Sequence, residues 1–153
     1  MNVKRLPTIF SVAAVIALLA AAAFAPQPAL ADSGGGTGIL TASGNGLAWI
    51  RGNGTITISG NGILEIRDHA GDAEIRVSGS GKKTELASGV IRYIGFNGVA
   101  TVSGSDVTVS LSGYNIRLEA RGTGKFILRG NGTYTVNGVH GSWSRTRQVH
   151  ILP

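Results

Sequence analysis

The chain of 153 residues contains no cysteine. That excludes a disulfide framework, a catalytic thiolate and a lipidated N-terminal cysteine, so packing and backbone pairing must supply stability. Histidine is almost as scarce, with only His69, His140 and His150. After residue 31 no segment keeps a helical hydrophobic period. A nucleophile elbow is therefore excluded, because Gly-x-Ser-x-Gly works by feeding a helix. Aromatic residues interleaved with basic ones, the pattern of single-stranded nucleic-acid binders, are missing too, and no nucleic acid is expected as partner.

The first 31 residues read as an export signal. Lys4 and Arg5 open the chain, Ile9 to Phe24 is apolar apart from Ser11, and Pro26 and Pro28 stop any helix. Ala29-Leu30-Ala31 is then a small-x-small cleavage site before Asp32. The apolar run is too short for the roughly 20 residues that span a bilayer core. The expected mature protein is residues 32–153, secreted, periplasmic or attached to the cell envelope, and not integral to a membrane after cleavage. Without Lys4 and Arg5 it carries 12 basic and 8 acidic residues, a net charge of +4. That balance suits anionic lipid, acidic polymer or simple solubility.

All 24 glycines follow residue 31. Gly44-Asn45-Gly46 recurs as Gly52-Asn53-Gly54 and Gly60-Asn61-Gly62 with a spacing of eight, and again as Gly130-Asn131-Gly132. Glycines 95, 104, 113 and 122 fall at a spacing of nine. Between them lie short alternating segments such as Thr55-Ile56-Thr57-Ile58-Ser59 and Val107-Thr108-Val109-Ser110-Leu111, the mark of half-buried strands. The pattern predicts a single all-β domain: an antiparallel meander of about 11 short strands joined by Gly-Asn-Gly turns, forming a sandwich or flattened barrel. A β-solenoid is the alternative, because Gly corners and short repeated strands describe it equally well. The expected core includes Leu40, Ile50, Ile56, Ile58, Leu64, Ile66, Ile75, Val102, Val109, Leu118, Phe126 and Leu128.

Parity favours hairpins. A three-residue loop at Asn53 sets Ile50 opposite Ile56, and a two-residue turn at Ala70-Gly71 sets Ile66 opposite Ile75. The second register also pairs Arg67 with Glu74 and Glu65 with Arg76, two opposite-charge pairs worth a few tenths of a kcal/mol each. A loop at Gly122-Thr123-Gly124 sets Leu118 opposite Leu128, but it also sets Arg117 against Arg129 and Arg121 against Lys125. Residues 79–98 break the rhythm and are expected to join two halves, 37–78 and 99–138. From Val139 onward the tail is either a final strand near His150-Ile151-Leu152 or a loose end.

Candidate chemistry is thin. Asp68-His69-Ala70-Gly71-Asp72 puts two carboxylates beside a histidine, but within one predicted turn, where aspartates support local hydrogen bonds. The Gly-Asn-Gly repeats lack the following helix of a dinucleotide fingerprint. They also lack the carboxylate of the calcium nonapeptide. No catalytic, cofactor-binding or metal residue is assigned, and no enzyme is expected. Arg117, Arg121, Lys125 and Arg129 form the one candidate patch, a polyanion contact on an outward face. Trp49, Ile63 and Ile127 are apolar intruders on outward positions.

Gly-Asn-Gly at 44–46, 52–54 and 60–62, Asp68-His69-Ala70-Gly71-Asp72, Gly95-Phe96-Asn97-Gly98 and Val102-Ser103-Gly104-Ser105 give residues 39–138 their character. This stretch resembles the Gly-rich, short-strand repeat domains of exported bacterial proteins of unknown function. The resemblance implies export and β-repeat structure, and no catalytic residue. The expected function is that of a non-enzymatic secreted or envelope structural or adhesive protein, self-associating or bound to envelope polymer. A carrier of small apolar ligands or lipid with an interior cavity is the alternative.

Overall fold

The structure is a computed structural model that describes residues 37–153. The export signal expected at 1–31 lies outside the described residues. Five strands follow in order: β1 Gly38–Asp68, β2 Glu74–Glu85, β3 Val90–Val136, β4 Val139–Ser142 and β5 His150–Leu152. All strand pairs are antiparallel, and the sheet does not close on itself. β1 has 31 residues and β3 has 47, far beyond the usual strand of 3–10.

Such lengths require the strands to wrap. Ile50 of β1 lies between Val109 and Phe126 of β3, and Leu40 lies between Ala120 and Val136. Each residue along most of β1 thus has β3 on both sides. One register is the ordinary ladder of a very long hairpin. Its first arm is β1 followed by β2, its second arm is β3, and its tip is the turn at 86–89, where Leu86 N donates to Val90 O and Gly89 N to Leu86 O. The other register joins one turn of that ribbon to the next. The domain is a two-stranded antiparallel ribbon wound into a coil.

Corners cut each turn into two faces. On one face lie 39–43, 55–59, 74–78, 99–103, 117–121 and 133–136; on the other lie 47–51, 63–67, 82–85, 90–94, 108–112 and 125–129. Inward positions on both faces belong to one core cluster. Ile56, Ile58, Val102 and Leu118 come from the first face, and Ile50, Leu64, Val109 and Phe126 from the second, all with 4% exposure or less. Alternation is the cause: every second residue of a strand points to the same side.

The Gly-Asn-Gly triplets are these corners, not hairpin loops. The chain passes through them as strand, and their glycines face glycines of the opposite arm: Gly46 meets Gly130, Gly54 meets Gly122, and Gly62 meets Gly113. At Gly54 a side chain would be driven into the carbonyl oxygen of Arg121, and at Gly122 into that of Asn53. Both glycines also have a left-handed φ, +131° and +148°, which disfavours any other residue. Glycine is needed here for close stacking of chains more than for reversal.

The meander and its hairpins are therefore corrected. Ile50 does not face Ile56, nor Ile66 Ile75. Glu74 lies opposite Ser103 and Ile75 opposite Val102, while Glu65 lies beside Arg92 and Arg67 beside Val90 and Thr108. Arg76 instead pairs with Glu74 on its own strand. The turn at Ala70-Gly71 is a corner within the first arm, so β2 crosses to the other face and never folds back on β1. Residues 79–98 do not link two halves, since they contain the hairpin tip and its flanking turn of coil. The tail is ordered structure: β4 and β5 pair with β3, and Trp143 and Leu152 join the core.

Candidate functional site: two unlike outer faces

With the interior filled by apolar side chains, polar chemistry is left to the outward positions, and the two faces carry different chemistry. The first face is a hydroxyl surface. Thr41, Thr57, Thr101 and Thr135 share one register column, and Ser43, Ser59 and Thr133 another. Hydroxyls bond across strands, Thr55 to Ser103 at 2.9 Å and Thr57 to Thr101 at 3.3 Å. Arg117, Glu119 and Arg121 form a charged row among them, and an open depression of about 400 Å³ surrounds Arg117 and Glu119.

The second face is basic and apolar. Its outward positions hold Leu47, Trp49, Ile63 and Ile94 together with Arg51, Arg67, Arg92, Lys125 and Arg129. Ile63 is 43% exposed and Ile94 is 50% exposed. Ile127 is buried yet stands outside the core cluster, consistent with its outward position between inward Phe126 and Leu128.

The predicted patch of four cations is divided by this geometry. Arg117 and Arg121 lie on the hydroxyl face, Arg117 between Ser43 and Ser59, and Arg121 between Ile39 and Thr55. Lys125 and Arg129 lie on the basic face beside Arg51 and Leu47. The corner at Gly122-Thr123-Gly124 separates the pairs, so the four do not share one face. For the same reason the like-charge clashes of the hairpin register do not arise.

Three aspartates serve the corners. Asp68 accepts hydrogen bonds from the backbone N–H groups of Ala70, Gly71 and Ala73, at 3.1, 2.8 and 2.9 Å. These bonds, that of Ala73 foremost, hold its carboxyl below the usual carboxylate range. Asp72 accepts from Ser105 N at 2.9 Å. The Asp-His-Ala-Gly-Asp motif is thus the hydrogen-bonded turn that its residue types suggest. Asp106 pairs with Arg51 through two bonds of 2.7 and 3.0 Å, and the guanidinium lowers its pKa.

The histidines go to three places. His69 meets the Thr108 hydroxyl at 3.0 Å and His140 meets the Thr135 hydroxyl at 3.0 Å. His150 stacks on Phe126 with ring centroids 5.1 Å apart. His140 and His150 flank an apolar depression with Phe126, Tyr134, Val139 and Ile151 at the end of the coil where β4 and β5 lie. Among the described residues no three His, Asp or Glu side chains converge as a metal site. Also among them, no helix is long and apolar enough to cross a membrane.

Comparison with protein-family models, with curated proteins and with solved structures gives no match.

The division of the surface into two faces was not read from the sequence. Its signal was present in the order of outward residues. Thr and Ser dominate 55–59 and 99–103, while Trp, Ile and Arg dominate 47–51 and 63–67. Alternate segments belong to alternate faces, but that is visible only once the triplets are known to be corners.

Proposed function

We propose that the protein is a non-enzymatic structural or adhesive protein of the exterior or cell envelope. The flattened, two-faced coil holds two extended surfaces apart and presents them to partners. One observation carries this reading: inward positions are apolar and packed, while outward positions are sorted into a hydroxyl face and a basic face. Acids that would otherwise be candidates for proton transfer are engaged in corner hydrogen bonds or ion pairs. A row of hydroxyls with Arg117 and Glu119 suits a hydrated envelope polymer, whose own hydroxyl and acidic groups can exchange hydrogen bonds with it.

Placement outside the cell rests on the export signal read at residues 1–31. The test is co-sedimentation of the purified protein with isolated envelope polymer, alongside Thr57→Val with Thr101→Val on the hydroxyl face. Retention by the polymer, weakened in that variant, supports the reading. Free protein in the supernatant at all polymer concentrations overturns it.

The apolar depression at His140 and His150 favours a second reading, a carrier of small apolar ligands. Mass spectrometry of the protein extracted with organic solvent separates the two. A stoichiometric lipid or other apolar compound supports the carrier.

A further inference from the structure

We propose that the basic face docks on an anionic lipid bilayer surface, a deepening of the surface-binding reading above on which it rests. The first observation is charge asymmetry. Outward positions of the basic face hold six cations, Arg51, Arg67, Lys82, Arg92, Lys125 and Arg129, and one acid, Glu65. Outward positions of the hydroxyl face hold Arg76, Arg117 and Arg121 against Glu74 and Glu119. The excess is thus five positive charges on one face and one on the other. Two basic-face cations are neutralised, Arg51 by Asp106 and Arg92 by Glu65. Arg67, Lys82, Lys125 and Arg129 have no ion pair among the described residues.

The second observation decides between anionic partners. The cations are interleaved with apolar side chains pointing the same way. Ile63, Ile94 and Ile151 are 43%, 50% and 69% exposed, and Leu47 and Trp49 are half-buried. A hydrated acidic polymer offers nothing to these groups. A bilayer offers both layers: headgroup phosphates for Arg and Lys, and the apolar boundary beneath for Ile, Leu and Trp. Indole is a favoured side chain at that boundary. A second copy of the chain is disfavoured as occupant, because two such faces would bring like charges together.

The position of Trp49 supplies the readout. The full chain is mixed with vesicles of equal parts phosphatidylglycerol and phosphatidylcholine, or of phosphatidylcholine alone, with bromine on the acyl chains. Trp143 is 6% exposed in the core and gives the unquenched background. The expected result is fluorescence quenching by the anionic vesicles that disappears in Trp49→Phe and is suppressed by high salt. Lys125→Glu with Arg129→Glu should weaken the apparent affinity by roughly tenfold or more. Arg117→Glu with Arg121→Glu, an identical charge change on the hydroxyl face, should leave it within about twofold.

Equal losses in the two double variants would overturn the proposal, since they would indicate attraction to overall charge without a docking face. Vesicle binding without quenching of Trp49 would also overturn it, because the apolar run at Ile9–Phe24 can hold a chain on lipid by itself. Polymer retention with no Trp49 quenching sinks the lipid proposal and leaves the surface-binding reading standing. Absence of both binding activities sinks the two together. Circular dichroism of each variant confirms that the coil is intact.

Discussion

The two arms of the long hairpin turn their corners differently. In the first arm, Gly-Asn-Gly corners recur every eight residues, and inward positions stay even-numbered from Leu40 to Ile66. In the second arm, inward positions switch from even at Ala100 and Val102 to odd at Val107, Val109 and Leu111, and back to even at Ile116. Each switch marks one extra residue at a corner. These residues are Asp106 and Asn115, with left-handed φ of 46° and 53°. The first arm supplies what they need: Asn53 accepts from Asp106 N and Asn45 from Asn115 N, both at 2.8 Å. Two strands stacked around one coil need not have equal path lengths at a corner. Along β1 the first arm keeps strict alternation, and the second arm takes up the difference with a bulge that the first arm's asparagines hold in place.

If close stacking at the corners sets this architecture, its most damaging disruption is at a glycine pair. Gly54→Val would drive a branched side chain into the Arg121 carbonyl and also force an unfavourable φ. The expected loss is about 4 kcal/mol or more, enough to leave the chain largely unfolded. Gly71→Ala is the matched control. Gly71 has a φ of +81° but open space around it, so only the backbone penalty remains, about 1 kcal/mol. Urea unfolding followed by circular dichroism distinguishes them. Equal losses at the two sites would mean that φ, not stacking, is what the triplets provide.

The alternation and the glycine rhythm made the all-β class and most of the core legible. Leu40, Ile50, Ile58, Leu64, Val109 and Phe126 are buried as their spacing implies. Path was not legible, for a physical reason. A three-residue hairpin loop and a three-residue corner both preserve the parity of alternating side chains, so Ile50 and Ile56 point inward in either topology. The opposite-charge pairs at 65–76 added apparent support, yet the nearest partners of Glu65 and Arg76 are Arg92 and Glu74. The spacing of nine carried more information than the spacing of eight. One extra residue per repeat is a bulge, and a bulge makes most sense where two strands of unequal path share a corner. The basic face stayed hidden because Lys125 and Arg129 look continuous with Arg117 and Arg121 until the corner at 122–124 is known to separate them.

A second contrast runs along the coil, between its middle and the β2 row. Ile58 is fully buried between turns, whereas Ile75 is only partly buried in β2, which pairs with β3 on one side alone. Further along β2, Lys83 and Glu85 share register columns with Tyr93 and Ile91, are exposed, and pair with each other at 3.2 Å. Charges at such positions discourage another strand from adding to an edge. Ile58→Ala is expected to lower stability by about 3 kcal/mol, and Ile75→Ala by less than half of that. Comparable losses would show that the β2 row is as much a part of the cooperative core as the middle turns.

Removing the asparagine clasps should have smaller effects. Asn53→Ala and Asn45→Ala each delete the acceptor for one bulge amide, at an expected loss of about 1 kcal/mol. They lie at opposite corners of the coil, so the double variant should show the sum of the two losses. A deficit well beyond the sum would mean that the bulges are coupled through the second arm, and that the coil adjusts its path as a unit.

The smallest expected effect concerns pH, and it touches the corner where both arms meet. The Asp106 carboxyl is lowered chiefly by its hydrogen bonds from Arg51, with a weaker electrostatic contribution from the same group. Asp68 is lowered by backbone amides, that of Ala73 first. A carboxylate whose folded pKa lies below its unfolded value stabilises the fold above the unfolded value, near 4. That stabilisation fades as pH falls through the folded value. Urea midpoints should therefore be flat from neutral pH down to about 5 and decline below about 4. Asp106→Asn keeps a residue tolerant of the left-handed backbone but removes the charge that Arg51 pairs with. It should be less stable than the parent at pH 7, with the gap narrowing as the pH falls from the unfolded value through the lowered folded value of the parent's carboxyl. Asp68→Asn should narrow its gap in the same direction, and independently of Arg51→Gln. The Arg51 pair is partly exposed, with side chains 40% and 46% accessible, so solvent screening keeps its share small. If the two Asp variants follow the parent with a constant offset at every pH, the acid sensitivity lies elsewhere, and the corner carboxylates act by hydrogen-bond geometry alone.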